Sequence, residues 1–348
     1  MIVAFLISEG KTENYQLIAD GNKVIYSMQA KAIKEWKLCA LLPNGRDPYW
    51  WGVSQALKMK AEQLGVNLAI YDAGSYHNLA KQKQQLTECR TKGADGYIIA
   101  SISDTGLNHE ISELLQDKKV VIDLINGIKH NKITSHSKVS FEGMSSLALS
   151  YILSTDNSQR ISVGFLPGPK SSEWVVDAVN GLIKLAKQHP RIKLINMGYG
   201  ATQSNIQAGL IRQFFDLQTV DYVISNAVGA KILTSLVELR GYDTKILAYY
   251  SNVDTLRLLK NRALEASVSD FPLLQAELAI DISVKVLEGK KYPSTISPEI
   301  KLLTYKNITK SDVKYTIGIE GVWFQKQQFS EQTNSVTHHD TSNEKKPY

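Results

Sequence analysis

The chain has 348 residues and a formal net charge of +6, with 43% of its residues hydrophobic and 21% charged. This length suggests two domains, and the composition is that of an ordinary globular protein. Apart from Lys345 and Lys346, the basic residues are scattered along the sequence. The charge therefore indicates a solvated surface and argues against a nucleic-acid-binding stripe. No stretch approaches the roughly 18–20 apolar residues that a membrane-spanning helix needs.

The two ends of the chain lack the periodicity of a folded lobe. The first residues, MIVAFLIS, are apolar but have no preceding basic region. They are either the back end of a secretion signal or a short strand, and we favour the signal. We therefore predict that residues 1–35 are a partial signal and leader segment. Residues 325–348 are polar and aperiodic, which predicts a disordered tail.

Between these ends, short apolar runs alternate with segments of helical periodicity, the pattern of βαβ units. The first series of predicted strands comprises WKLCALLP (36–43), VNLAIYDA (66–73), DGYIIASI (95–102), KVVIDLIN (119–126) and KVSFEG (138–143). The helices that follow them are predicted at 49–64, 79–92, 107–117 and 144–153. Gly65 and Gly93 are expected to end the first two helices.

The pattern then restarts. The second series of strands comprises RISVGFLPGP (160–169), IKLINMGYG (192–200), DYVISNA (221–227), KILAYYS (245–251), ALEASVSDF (263–271) and PEIKLLTY (298–305). Helices are predicted at 173–188, 203–216, 230–239, 254–261 and 272–288. Two successive series of this kind predict two separate lobes.

We therefore predict an α/β fold of two Rossmann-like lobes with parallel sheets. The first lobe is assigned to residues 36–141 with 271–290, and the second to residues 142–270 with 291–324. Ligands of open α/β sheets bind beyond the carboxyl ends of the strands. Two facing lobes would place these ends in a shared cleft, which is the expected ligand site.

Aromatic residues gather where the predicted strands end. Tyr49, Trp50 and Trp51 open the helix after the first strand, and neighbouring residues of a helix lie about 100° apart around its axis, so Trp50 and Trp51 cannot both face the same core. Further aromatics at strand ends are Tyr76, Trp174, Tyr199, Tyr249, Tyr250 and Phe271. The polar complement is thin, consisting mainly of Asp47, Asn226 and Asp270. Aromatic faces with few carboxylates are typical of sites for methylated ammonium groups, so a small, methyl-rich ligand is favoured over a sugar.

Catalytic and metal-binding motifs are not found in the sequence. It lacks a GxSxG elbow, a P-loop, an HExxH pair and a paired-cysteine metal site. We therefore predict no enzymatic activity, no cofactor and no metal. The two cysteines, Cys39 and Cys89, would be buried thiols in a reducing compartment or one bridge in an oxidising compartment, and their spacing does not decide between these states.

Four segments give the chain a resemblance to a known family: WKLCALLPNGRDPYWW, YDAGSYHNLAKQKQQLTECRTKGAD, LPGPK and SVSDFPLLQAELA. Over about residues 36–320 the chain resembles the type I periplasmic binding proteins, the ribose-binding-like family that shares its fold with the sensor domains of LacI-type repressors. The segments are most similar to members that detect trimethylamine N-oxide for a membrane sensor kinase. The resemblance implies a periplasmic protein that binds without chemistry. Its implied partners are trimethylamine N-oxide and the periplasmic sensor domain of a histidine kinase, with no nucleic acid and no direct membrane insertion.

The resemblance also implies a set of ligand contacts. These are Asp47, Tyr49, Trp50, Tyr76, Phe141, Trp174, Tyr250 and Asp270. The aromatic rings would form a cage for the methyl groups, while a tyrosine hydroxyl or an amide N–H serves the oxygen. Asp47 would attract the nitrogen or orient a tyrosine hydroxyl. A periplasmic location would also permit a disulfide between Cys39 and Cys89.

Three alternatives are weighed against this interpretation. A sugar-binding receptor of an ABC transporter would keep the fold but should show more charged and amide side chains at the strand ends. A LacI-type regulator would need a helix-turn-helix before the first lobe, and residues 1–35 offer no pair of helices. An amide- or sugar-processing enzyme would need a nucleophile beside a base, and the sequence suggests none.

Overall fold

The computed structural model describes residues 14–318 and 325–330, which form two α/β lobes. The strands are β1 (Asn14–Ala19), β2 (Asn22–Ser27), β3 (Lys37–Leu42), β4 (Asn67–Asp72), β5 (Gly96–Ile99), β6 (Val120–Leu124), β7 (Ser135–Ser137), β8 (Ile161–Leu166), β9 (Ile192–Asn196), β10 (Tyr222–Ser225), β11 (Lys245–Ala248), β12 (Ala266–Ser269), β13 (Thr295–Ser297) and β14 (Lys301–Leu303). The helices are α1 (Pro48–Leu64), α2 (Leu79–Thr91), α3 (Asn108–Gln116), α4 (Phe141–Thr155), α5 (Glu173–Gln188), α6 (Ser204–Phe215), α7 (Ala227–Arg240), α8 (Val253–Lys260), α9 (Pro272–Leu287) and α10 (Lys310–Thr316).

The first lobe is built on an eight-stranded sheet in the order β2-β1-β13-β7-β6-β5-β3-β4. Its strands from β13 to β4 pair in parallel, whereas β1 and β2 form an antiparallel hairpin at one edge. Helices α1 and α9 cover one face and α2 and α3 the other. Every residue of β5 and β6 is buried, as a parallel sheet covered on both faces requires.

The second lobe is built on a six-stranded sheet in the order β14-β12-β11-β10-β8-β9. All pairs are parallel except β12 with β14. Helices α4 and α5 pack on one face, and α6, α7 and α8 pack on the other. The predicted α/β class with two parallel sheets is confirmed, although each sheet also carries antiparallel strands at an edge.

The chain crosses between the lobes after β7, after β12 and after β13. The crossing after β13 differs from our assignment of residues 291–324 to the second lobe. Strand β13 pairs in parallel with β7 and antiparallel with β1, so the first lobe continues through Ser297. A three-residue strand gives too short an apolar run to be recognised in the sequence.

The first lobe begins well before residue 36, which corrects the predicted leader segment. Strand β1 joins β2 to the main sheet, and Leu17 is buried. The hydroxyl of Tyr26 donates a hydrogen bond to the buried carboxylate of Asp281 in α9 at 2.7 Å. The hairpin is therefore part of the fold, while the predicted signal in residues 1–8 lies outside the described residues.

The predicted fifth strand at 138–143 is also wrong. The strand lies just before it, at β7, and Ser140 instead caps helix α4 by accepting a hydrogen bond from the Gly143 N–H at 3.0 Å. Residues 138–141 alternate between polar and apolar as in a strand, but the N-cap at Ser140 starts helix α4 there.

Part of the predicted disordered tail packs on the first lobe. Gln327 and Ile70 exchange two main-chain hydrogen bonds across the free edge of β4, at 2.8 and 3.3 Å. The side chain of Asn67 makes two further bonds to the main chain of Ser330. We call residues 325–330 the edge segment. The remaining residues of the predicted tail, 331–348, lie outside the described part of the chain.

A disulfide joins β3 to α2 in the first lobe. Cys39 and Cys89 are both fully buried, and their Cα atoms are 6.2 Å apart. The bridge closes a loop with a sequence separation of 50 residues. Among the described residues, no helix combines the length and apolarity that crossing a membrane requires.

Candidate functional site

The start of helix α1 places the first wall of the site. Asp47 has an extended backbone and its carboxylate accepts a hydrogen bond from the Tyr49 N–H at 3.0 Å, while Pro48 occupies the first helical position. Gly65 ends the helix in the left-handed conformation that glycine adopts most readily. This sharp start projects Tyr49 and Trp50 from the carboxyl end of β3 toward the second lobe.

A small cavity of about 20 Å³ lies between the lobes. Its lining residues are Asp47, Tyr49, Trp50, Tyr76, Ile125, Asn126, Phe141, Trp174 and Tyr250. All of them are buried, so the two lobes are closed around this space. Of the described side chains that line the cavity, none is basic.

The aromatic rings form a continuous series across the two lobes. From the first lobe, Tyr49 packs edge-on against Tyr250 of the second lobe, with centroids 5.4 Å apart. The ring of Trp174 lies 5.7 Å from both Tyr250 and Phe141. It also reaches Tyr76 of the first lobe at 6.2 Å. Edge-to-face contacts of this kind leave ring faces available to a ligand.

One corner of the cavity is polar. The amide Nδ2 of Asn126 donates to the Tyr76 hydroxyl at 3.2 Å and to the main-chain oxygen of Ser101 at 2.8 Å. Burial raises the pKa of Tyr76 well above its ordinary value, and donors on Asn126, Trp50 and Trp174 oppose that rise. The hydroxyl of Tyr76 thus remains a neutral donor near these groups.

Asp270 lies behind the cavity wall and does not line the cavity. Its Oδ2 accepts hydrogen bonds from the Tyr49 hydroxyl at 2.5 Å and from Gln275 Nε2 at 2.8 Å. Burial raises the pKa of Asp270 to about 6, against the lowering effect of these donors. The carboxylate therefore orients Tyr49 and has no place among the cavity walls.

Asp47 is the one carboxylate that lines the cavity among the described residues. Burial raises its pKa to about 6, and the Tyr49 N–H together with Thr202 and Asn252 of the second lobe opposes the rise. Above that pH the group carries a negative charge, which adds to the effect of burial in raising the pKa of Tyr250. A ligand with positive charge would find a counter-charge here.

A charged seam holds the lobes together beside the cavity. The Nζ of Lys138, in the first crossover, lies 3.1 Å from Oε1 of Glu173 at the start of α5. Burial disfavours the charge of Lys138, but Asp123 and Glu173 outweigh it and keep its pKa above its ordinary value. Next to this pair, the main-chain N–H of Trp174 donates to the main-chain oxygen of Asn126 at 3.3 Å. The seam therefore fixes the position of Trp174 in the cavity wall.

The structure brings together seven of the eight sequence-predicted site residues, all but Asp270. Trp51 is directed elsewhere, because its indole N–H donates to the Gly45 oxygen at 2.9 Å. Ile125 and Asn126 also line the cavity but were not in the predicted set. Asn126 is the last residue of a predicted strand and was therefore detectable, whereas Ile125 lines the cavity through a left-handed backbone with φ of 66°, which nothing in its sequence indicates.

Two α/β lobes closed over a small, mostly aromatic cavity define a two-lobe ligand-binding protein. Comparison with known families agrees with this class. The chain belongs to the periplasmic binding proteins, because the family model described as a periplasmic binding protein domain matches residues 39–291.

Individual relatives and solved structures show which members of the family the chain is similar to. The chain is 26% identical over 306 residues to the periplasmic protein TorT of Escherichia coli K12, covering 86% of this chain and 87% of TorT. An ABC transporter solute-binding protein from Bradyrhizobium sp. BTAi1, solved with bound bis-tris, is 29% identical, with a TM-score of 0.76 over 93% of this chain and 100% of that chain. The complex of the TorS sensor domain with TorT in the presence of TMAO gives a TM-score of 0.76 at 22% identity, over 84% of this chain and 100% of that chain. The chain is thus similar to TorT over most of its length and shares the fold of these solute-binding proteins.

Proposed function

We propose that this protein binds trimethylamine N-oxide in the cavity between its lobes and reports the bound state to a TorS-like membrane sensor histidine kinase. The observation that carries the proposal is the cavity itself. It combines the rings of Tyr49, Trp50, Trp174 and Tyr250 with the carboxylate of Asp47 and, among its described lining residues, no basic side chain. The protein would act in the periplasm, where a buried disulfide is stable.

The chemistry of the ligand matches these walls. Trimethylamine N-oxide carries three methyl groups on a formally positive nitrogen, and aromatic faces attract this positive end of the dipole at little cost of desolvation. Its negative oxygen needs a hydrogen-bond donor, which the Tyr76 hydroxyl in the polar corner of the cavity can supply. A sugar, in contrast, presents several hydroxyls that each need a partner, and most of this cavity is apolar.

The cavity size supports a small ligand. A volume of about 20 Å³ lies far below the roughly 300–1,000 Å³ of ordinary small-molecule sites, so the closed lobes leave room only for a very compact ligand. Two of the relatives were solved with related compounds: the complex of the TorS sensor domain with TorT in the presence of TMAO, and the Bradyrhizobium protein with bound bis-tris, a tertiary amine.

Signalling would use the angle between the lobes. Tyr49 and Tyr250 meet across the cleft, and Lys138 with Glu173 closes the seam beside it. A ligand that contacts both walls stabilises the closed form, and a kinase sensor domain that touches both lobes would respond to that shift. The response cannot exceed the difference in ligand affinity between the open and closed forms.

Isothermal titration calorimetry of the purified chain tests the proposal. Trimethylamine N-oxide should bind, whereas ribose should not. Tyr250→Ala should abolish the signal by removing a wall of the cavity. Tyr292→Ala is the matched control, because Tyr292 is an exposed tyrosine away from the cavity. Each titration is repeated with a TorS-like sensor domain present.

The outcomes separate the candidates. Binding of ribose without the N-oxide would reassign the chain to sugar transport. Binding of the N-oxide that Tyr250→Ala leaves unchanged would move the site away from this cavity. Absence of N-oxide binding both alone and with the sensor domain would overturn the proposal.

A further inference from the structure

The indole of Trp174 carries a buried donor without a partner. The side chain is only 4% exposed, and its Nε1–H has no hydrogen-bond partner among the described residues. A buried donor that makes no hydrogen bond lowers stability, and buried indole N–H groups usually find an acceptor. The Trp174 donor thus needs an explanation.

Packing holds the indole in this position. Its ring contacts Phe141 and Tyr250 at 5.7 Å and Tyr249 at 6.1 Å. Phe141 and the ring faces offer no strong acceptor to the N–H. The main chain is also fixed, because the backbone N–H of Trp174 donates to the main-chain oxygen of Asn126. The indole therefore has little freedom to turn toward another acceptor.

The donor points to the polar corner of the cavity. Trp174 and Tyr76 line the same cavity with ring centroids 6.2 Å apart. In keeping with this geometry, Trp174 is among the donors that oppose the raised pKa of Tyr76. That hydroxyl already accepts a hydrogen bond from Asn126 Nδ2, while its own bond to Asn126 Oδ1 is long, at 3.5 Å. The O–H of Tyr76 and the indole N–H of Trp174 thus lie together where a ligand could place an acceptor atom.

We propose that Trp174 Nε1–H, together with the Tyr76 hydroxyl, donates hydrogen bonds to the oxygen of an amine N-oxide. Trp174 is then the residue that distinguishes an N-oxide from a methylammonium ion of the same shape. This inference rests on the proposed function and adds the atom that recognises the oxygen.

The same cavity holds the complementary charge. The Asp47 carboxylate and the ring faces favour the positive nitrogen, whereas the Trp174 and Tyr76 donors favour the negative oxygen. A dipolar ligand satisfies both kinds of group. Tetramethylammonium, which has a methyl group in place of the oxygen, satisfies only the first kind.

The test compares these two ligands on Trp174→Phe, which keeps an aromatic ring and removes the N–H. Calorimetry should show that the variant binds trimethylamine N-oxide at least about tenfold more weakly, the loss expected for a hydrogen bond to a charged acceptor. The affinity for tetramethylammonium should change less than about twofold. Trp36→Phe is the matched control, because Trp36 precedes β3 at the end of the sheet away from the cavity.

A second measurement follows the donor directly. The sequence has five tryptophans, and the indole N–H resonance of Trp174 is identified by its loss in Trp174→Phe. That resonance should shift downfield when trimethylamine N-oxide is added and should not do so with tetramethylammonium.

The outcomes distinguish this inference from the proposed function. If the wild-type protein binds the N-oxide and Trp174→Phe binds it equally well, the donor assignment is wrong and the proposed function stands. If the variant loses both ligands to the same extent, Trp174 acts only by packing and the assignment is also wrong. If the wild-type protein does not bind the N-oxide at all, both proposals fall together.

Discussion

The first lobe holds its cavity side chains with directed hydrogen bonds, whereas the second lobe holds Trp174 and Tyr250 mainly by ring packing. Within this lobe Asp47 caps a helix and Tyr76 pairs with Asn126, while Tyr49 donates to Asp270 in the crossover that follows β12. The two second-lobe rings instead lie edge-on against each other at 5.7 Å. Directed bonds fix a geometry within one lobe, while apolar faces can part and meet again as lobes move. The first lobe therefore provides the rigid half of the site.

The disulfide tests the rigidity of the first lobe and should have the largest effect. Replacing Cys39 and Cys89 together by alanine opens a loop of sequence separation 50, which the chain-entropy model values at about 4 kcal/mol of unfolding free energy. Urea denaturation measures the loss. Reductant should destabilise the wild-type protein and leave the double variant unchanged; a wild-type protein indifferent to reductant would contradict the bridge.

The bond from Tyr49 to Asp270 tests one directed contact. Tyr49→Phe should lower the unfolding free energy by about 1.5–3 kcal/mol at pH 8, because a hydrogen bond to a charged carboxylate is lost. The loss should be smaller at pH 5, because burial raises the pKa of Asp270 to about 6 and the group is then neutral. Denaturation curves at both pH values measure the difference. An equal loss at pH 8 and pH 5 would show that the carboxylate charge is not involved.

The charge of Asp47 should make ligand affinity depend on pH. With a pKa of about 6, roughly a tenth of the free protein is ionised at Asp47 at pH 5, so N-oxide affinity should fall about tenfold between pH 7.5 and pH 5. Asp47→Asn retains a side chain that can cap α1 and should bind more weakly, with a flatter pH profile. Calorimetry across this range tests both statements; parallel profiles would exclude Asp47 as the titrating group.

The carboxyl group of Asp47 also makes stability depend on pH, and here a rise in pH lowers stability whereas it raises ligand affinity. Its pKa is raised on folding, so the native protein holds more protons than the unfolded chain between about pH 4 and pH 6. Its contribution to stability is therefore present below pH 4 and is lost as the pH rises through 6. Asp47→Asn should remove this share of the pH dependence.

The seam between the lobes should give the smallest effect. Lys138→Met removes a partly buried ion pair with Glu173 and should speed N-oxide release about fivefold, since the closed form loses roughly 1 kcal/mol. Lys184→Met breaks a more exposed pair with Glu142 and is the control. Stopped-flow dissociation measures both rates; equal rates in the two variants would remove the seam from lobe closure.

Much of this architecture could be predicted, because it depends on periodicity and capping. Helix α5 has the bounds predicted from the sequence, Glu173–Gln188, and Asp47, Pro48 and Gly65 mark helix α1 by local chemistry. The hairpin β1–β2 was missed because its residues alternate weakly and pair with β13, far along the chain. The role of Asp270 was also missed, since only the folded chain shows that Tyr49 stands between it and the cavity.

The edge segment has a consequence for association between molecules. A free strand edge presents unpaired N–H and C=O groups that can template pairing with another chain. Gln327 occupies these groups at Ile70, and Phe329 packs against the apolar cluster beneath. The chain thereby shields its own β4 from self-assembly. A recombinant form that stops before residue 325 would expose this edge and should aggregate more readily than the full chain.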